Sequence, residues 1–324
     1  MGEFDLIKRY FTRPTPRAVL GIGDDCALLQ PAAGMQLAIS SDMLVEGRHF
    51  FADVDPSTLG HKALAVNLSD LAACGAKPLA FTLALALPRA DETWLAAFSR
   101  GLFALADTHG CELVGGDTTQ GPLNICITVF GEVPAGQALL RSGARSGDDI
   151  YVSGNLGDAR LALDARRNNS PLPGALQAPA KTRLEQPTPR VALGLALRGV
   201  ASAAIDVSDG LLGDLGHILK ASGVGACIDT SIAIHLIAAC AHPAWATGLI
   251  SLETQLDCVL AGGDDYELAF TAPVSAREAV RAAAQQSATP VTRIGQIEAA
   301  PGLRLTDGDG RPVTHSFRSF DHFA

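Results

Sequence analysis

Strand-like and helix-like stretches alternate along all 324 residues, and aspartates recur beside glycine where the stretches meet. Such alternation confines the chain to layered folds that mix sheets with helices. Residues 79–87 form an apolar run between Pro78 and Pro88, short enough for a buried strand. Residues 36–39, 112–114, 123–133, 149–153, 201–206, 267–271 and 291–297 read as further strands. Asp55-Pro56 opens a helix, with Asp as N-cap and Pro in the first turn, that Gly75 can stop. Asp91-Glu92 opens a second, with Leu95, Phe98, Leu102 and Leu105 on one face and Gly110 at its end. Helices are also predicted after Gly157-Asp158, over 211–221 and over 276–284, with 168–179 as a loop. The Gly-, Ser- and charge-rich segment 136–149 separates two predicted domains, 1–141 and 142–324.

The balance of 34 acidic against 25 basic residues gives a net charge of −9, which argues against nucleic-acid and anionic-membrane partners. An anionic substrate would then need a bound cation. At 48% hydrophobic residues the chain can bury full cores. No apolar run approaches the roughly 18–20 residues of a membrane helix. The first residues, Met1-Gly2-Glu3-Phe4-Asp5, predict no secretory signal. Seven cysteines, an odd number at wide spacing, suit a reducing compartment, so a cytoplasmic protein is expected.

The chemistry lies in the aspartates. They occur in Gly21-Ile22-Gly23-Asp24-Asp25, Ser40-Ser41-Asp42, Gly115-Gly116-Asp117, Asp206-Val207-Ser208-Asp209-Gly210 and Gly262-Gly263-Asp264-Asp265, each read as a strand end or turn. Turn preference alone accounts for any one of them. It does not account for Asp70, in Asn67-Leu68-Ser69-Asp70 within a largely apolar helix. Carboxylates with serine and threonine hydroxyls are hard oxygen ligands that suit Mg²⁺. No P-loop, zinc-protease or nucleophile-elbow motif occurs, and Gly21-Ile22-Gly23 lacks the third glycine of a dinucleotide fingerprint.

Taken in order, these motifs, with Asn67-Leu68-Ser69-Asp70-Leu71-Ala72-Ala73, Gly263-Asp264-Asp265-Tyr266-Glu267-Leu268 and the tail Phe320-Asp321-His322-Phe323, resemble the thiamine-monophosphate kinase family of the PurM-like ATP-binding superfamily. The resemblance covers nearly the whole chain. It implies an α+β, two-domain PurM-like architecture. The N-terminal sheet-and-helix domain would form the contact of a homodimer, and the C-terminal domain is again α+β. It implies direct γ-phosphoryl transfer from ATP to thiamine monophosphate, with several Mg²⁺ ions and no covalent intermediate.

By the same resemblance the metal ligands are Asp25, Ser40, Ser41, Asp42, Asp70, Asp117, Asp206 and Asp209. Asp42, Asp70, Asp117 and Asp206 would be the catalytic set. Gly116, Asp117, Arg141 and Ser208 would contact ATP, and His49, Asp264 and Phe320 the thiamine ester. Two positions depart from the family pattern: Ser41 replaces a more familiar threonine, and Asp264 a glutamate. The first keeps its hydroxyl; the second shortens the reach to substrate. The residues taken without the family also permit a Mg²⁺-dependent phosphohydrolase or a non-enzymatic nucleotide-binding module. A selenophosphate synthetase would carry a cysteine near the N-terminus and a hydrogenase-maturation carbamoyl dehydratase one at the C-terminus, and neither is present. An aminoimidazole ribonucleotide synthetase is disfavoured only by the tail Phe320-Asp321-His322-Phe323.

Overall fold

The computed structural model describes residues 2–243, 245, 250–314 and 317. The chain divides into two compact units, Met1–Leu71 with Ala76–Gly136, and Ala72–Gly75 with Gln137–Ala324.

In the first unit α1 (Glu3–Tyr10), β1 (Met35–Val45), α2 (Pro56–Ala73), β2 (Lys77–Leu87), α3 (Glu92–His109), β3 (Glu112–Gln120) and β4 (Asn124–Pro134) follow one another. The strands form one sheet in the order β1-β4-β2-β3, with only β2 and β3 parallel. Both long helices start as the sequence suggests. Asp55 Oδ1 accepts the amides of Ser57 and Thr58 at 2.8 and 3.1 Å. Asp91 Oδ1 accepts those of Thr93 and Trp94, each at 3.0 Å. Leu95, Phe98, Leu102 and Leu105 of α3 are all buried. They share the core with Leu64 and Leu68 of α2 and with Leu83, Leu85, Ile125 and Ile127 from one sheet face. The other face carries Leu37, Ile39 and Met43, which are 38%, 59% and 53% exposed.

The second unit contains β5 (Asp149–Ser153), α4 (Asp158–Arg167), α5 (Gly174–Glu185), α6 (Val191–Ala196), β6 (Ala203–Val207), α7 (Leu211–Ser222) and β7 (Gly225–Asp229). Then come α8 (Thr230–Ala233), α9 (Leu252–Ala261), β8 (Glu267–Ala272), α10 (Arg277–Gln286), β9 (Val291–Glu298) and β10 (Gly302–Thr306). Its six-stranded sheet runs β10-β7-β9-β5-β8-β6, with β10 and β7 parallel and the remaining pairs antiparallel. Ile150, Val152, Val207, Leu211, Leu215, Ile218 and Ile294 belong to one buried cluster. No helix among the described residues is long and apolar enough to cross a membrane.

Three local expectations change. Ser40-Ser41-Asp42 and Gly115-Gly116-Asp117 do not end strands; they lie inside β1 and β3. Polar side chains there interrupt the apolar alternation by which a half-buried strand is recognised. Residues 174–179 are helical rather than loop, with Pro179 inside α5. The sequence reading also left out α1, α6, β7, α8, α9 and β10.

Candidate active site

Successive side chains of β1 leave opposite sheet faces. Ser40 and Asp42 lie in register with Val129 and Ile127, both buried on the helix-covered face. Ser41 points to the other face, where its hydroxyl lies 2.9 Å from Thr128 Oγ1 and donates to the Ile127 carbonyl at 3.1 Å. α2 brings Asn67 and Asp70, one turn apart, against the Ser40–Asp42 stretch. Ser40 Oγ donates to Asp70 Oδ2 at 2.5 Å. As an edge strand, β1 has amides without a ladder partner, and that of Asp42 donates to Asn67 Oδ1 at 3.0 Å. Asn67 Nδ2 is tied to the Ala63 carbonyl at 3.0 Å, which fixes the orientation of the amide group.

Asp70 stands in the last turn of α2, where the helix dipole disfavours a carboxylate. A helix selected for stability alone would place a cation there. Ser40 and Asp70, with Asp42 next on the same strand face, are half-buried and offer hard oxygen donors, whose chemistry fits Mg²⁺.

The other predicted ligands of this unit lie elsewhere. Asp117 is exposed on β3, at the opposite sheet edge. Three strand spacings put β3 about 14 Å from β1. Its register partner is Ala84, whereas the row of Asp42 runs through Ile127 and Leu83. Asp117 therefore emerges on the other face, next to the exposed Gly116. Asp25 lies in an exposed loop, its amide bonded to Asp24 Oδ1 at 2.8 Å. Among the described residues no group of three His, Cys, Asp or Glu side chains is arranged to hold a metal ion. His49 follows β1 in a tight turn, and its Nδ1 accepts the Val45 amide at 3.0 Å. In the neutral ring the proton is thus on Nε2.

In the second unit Asp206, 6% exposed, sits in β6 opposite Leu268. The chain then turns through Ser208, Asp209 and Gly210 into α7. The amides of these three residues donate to one atom, Asp214 Oδ2, at 3.0, 3.1 and 3.2 Å. Burial pushes the Asp214 carboxyl up to about 6, against the downward pull of the Asp209 amide. The Asp264 amide donates to the Ser208 carbonyl at 2.8 Å, and that of Tyr266 to the Val207 carbonyl at 2.8 Å. This lacing brings the predicted nucleotide residue Ser208 beside the predicted substrate residue Asp264.

Asp264 and Tyr266 both take left-handed backbone angles, φ 67° and 52°. Asp265 between them is wholly buried and accepts the Gly157 amide at 2.9 Å. Burial holds its carboxyl well above the usual range. Glu267, also wholly buried, accepts from Ser153 Oγ and Arg190 Nε at 2.6 Å and from Arg183 Nη2 at 3.0 Å. Arg141 is exposed one residue beyond Leu140, whose carbonyl accepts the Ala204 amide of β6 at 2.9 Å. Phe320 lies outside the described residues.

Comparison with known proteins gives this arrangement its lineage. Residues 23–133 match the family "AIR synthase related protein, N-terminal domain", and residues 145–308 its C-terminal domain. The chain is 48% identical over 334 residues to the thiamine-monophosphate kinase of Salmonella typhimurium, covering 100% of this chain and 98% of that protein. The chain belongs to the thiamine-monophosphate kinase family. The fold agrees: a solved thiamine-monophosphate kinase from Stenotrophomonas maltophilia is 46% identical, with a TM-score of 0.83 over 96% of each chain. A solved structure described as AaThiL complexed with AMPPCP and TMP is 29% identical, with a TM-score of 0.76 over 99% of this chain and 96% of that one.

Against the thiamine-monophosphate kinase pattern, sequence reasoning overlooked three residues that hold the candidate ligands in place. Asn67 lies three positions before Asp70, a spacing that puts both on one helix face. Asp214 is an acid in the first turn of α7, a position where capping carboxylates are common. Asp265 carried no signal beyond its neighbours, because its burial depends on the left-handed turns around it.

Proposed function

We propose that this chain catalyses transfer of the γ-phosphoryl group of ATP to thiamine monophosphate, giving ADP and thiamine diphosphate. The supporting observation is the Ser40–Asp70 oxygen pair beside Asp42, found in a chain that matches thiamine-monophosphate kinases over its full length. The relative solved with AMPPCP and TMP supports the choice of substrates.

Both reactants are polyanions, so positioning and charge stabilisation supply most of the rate enhancement. Several Mg²⁺ ions, when bound, would screen that repulsion and stabilise charge on the transferring group. Asp25, Ser40, Ser41, Asp42, Asp70, Asp117, Asp206 and Asp209 would hold them. Gly116, Asp117, Arg141 and Ser208 would meet the nucleotide, Arg141 through its planar fork. His49 Nε2–H and the Asp264 carboxylate would face the thiamine ester, with Phe320 stacking on an aromatic ring. The transfer is in line, without a covalent enzyme intermediate. No lysine of a P-loop is available to share this work.

The working protein is a cytoplasmic homodimer with domains 1–141 and 142–324. The exposed Leu37, Ile39 and Met43 on the open sheet face support a partner copy. Seven cysteines, an odd number at wide spacing, support a reducing compartment.

Incubating the purified protein with ATP, Mg²⁺ and thiamine monophosphate, then separating the thiamine esters, tests the reaction. Thiamine diphosphate should appear in step with ADP. Phosphate released to water instead would make the protein a phosphohydrolase, and no diphosphate at any Mg²⁺ level would reject the reading.

A further inference from the structure

Three consecutive amides that converge on one point make a concavity suited to an anion, and phosphate is its usual guest. The Ser208–Gly210 loop is such a nest, at the start of α7. Here it is filled from within: Asp214 is 4% exposed and its Oδ2 accepts all three amides. The same loop turns Asp209 out to solvent. It has little freedom to adopt another shape. A Cβ at Gly210, φ 118°, would lie 2.7 Å from the Ala261 carbonyl oxygen, and one at Gly263 2.4 Å from that of Ser208.

We infer that Asp214 is a positioning residue for the nucleotide and cation side of the site. Its carboxylate occupies the amide nest, fixes the backbone from which Ser208 and Asp209 project, and keeps nucleotide phosphate out of that nest. At this loop phosphate is therefore met by side chains and cations rather than by the three amides. The inference rests on the reading of Ser208 as a nucleotide contact and Asp209 as a metal ligand. A capping role alone would stabilise α7 and nothing more. The positioning role also predicts that cation affinity follows the carboxylate, because groups that orient metal ligands typically change affinity by about 10–100-fold when removed.

The test uses the full chain and reads binding rather than turnover. Mg²⁺ is titrated against a non-hydrolysable ATP analogue by calorimetry, with melting temperature measured in parallel, for wild type, Asp214→Ala and Asp214→Asn. Asp214→Ala should need about tenfold more Mg²⁺ for half-saturation. Added formate, a carboxylate that fits the vacated nest, should bring the value back toward wild type. Asp214→Asn keeps one acceptor oxygen and should shift the value less. Unchanged Mg²⁺ curves with a lowered melting temperature would reduce Asp214 to a cap and overturn the inference. Should Asp214→Ala not fold, an Asp214→Asn protein with native circular dichroism and an unshifted curve overturns it equally. A wild type that binds the analogue but makes no thiamine diphosphate refutes the proposed reaction and leaves this test standing. One that shows no Mg²⁺-dependent binding overturns both.

Discussion

Asp264 donates its backbone amide to the Ser208 carbonyl at 2.8 Å, while Gly263 leaves no room for a side chain against that same carbonyl oxygen. Two residues assigned to different substrates are thus locked through the main chain. Gly263→Ala forces the carbonyl to move, and overpacking of this kind costs about 1–3 kcal/mol. Urea unfolding should show that loss. KM for ATP and for thiamine monophosphate should both rise, because the two sides shift together. A variant with wild-type stability and only one altered KM would break the link.

Asp42 and Asp117 emerge from opposite edges and opposite faces of the first sheet, yet both are assigned to cations. Asp42→Asn and Asp117→Asn should each lower turnover by about a hundredfold or more, the scale of losing one preorganised electrostatic contact. Asp117 is exposed, so its variant should keep the wild-type melting temperature. Near-normal rates in both variants would remove the multi-metal mechanism.

Asp149 is wholly buried and accepts from Arg277 Nε at 2.6 Å and Arg293 Nη1 at 3.2 Å. The Arg277 hydrogen bond, above all, holds its carboxyl below the ordinary range. A depressed folded-state value adds stability above the unfolded pKa, and that stability is lost as pH falls through the folded value. Asp149→Ala should cost about 2 kcal/mol at neutral pH, reduced from a fully buried pair because both arginines reach solvent. The gap to wild type should narrow as pH falls below the ordinary Asp value of about 3.9. Denaturant midpoints across pH measure it; a constant gap would show that the charge is irrelevant.

Burial pushes the thiols of Cys111 and Cys258 up to about 12, whereas Cys26 and Cys74 are exposed. Since the thiolate is the reactive form, iodoacetamide at neutral pH should label Cys26 and Cys74 in the native protein. Cys111 and Cys258 should react only after unfolding, as peptide mass spectrometry would show. Native-state labelling of Cys111 at the rate of Cys26 would contradict the burial of that site.

Local rules served the sequence reading where one element contains its own signal. α3 announces itself through Asp91, four apolar positions and Gly110, and the structure keeps every one of those roles. β1 shows the opposite. Only its first residues look like a strand, because Ser40, Ser41 and Asp42 replace the apolar side chains that would mark the rest. The α2 stretch containing Asn67 and Asp70 was legible as a helix with a misplaced acid. That Ser40 would be the hydrogen-bond partner depends on a contact across thirty positions of sequence, which no local pattern encodes. The partners of Asp214 and Asp265 were illegible for a related reason: they are backbone amides, and amides carry no residue identity.

The sheet order of the first unit has a consequence for how the protein is made. β1 has a single neighbour, β4, and β2, α3 and β3 are all synthesised between them. The chain emerges N-terminus first, at about 5–20 residues per second. Ser40, Ser41 and Asp42 therefore leave the ribosome early and remain without a ladder until Asn124–Pro134 has followed. Non-local pairing of this kind slows folding, since loop closure precedes the contacts that reward it. A nascent chain stalled before Asn124 would already contain the hydroxyls and carboxylates of β1 and α2 but lack the strand that aligns them. Mg²⁺ should accordingly protect the completed N-terminal unit from proteolysis and leave the stalled chain as susceptible as before.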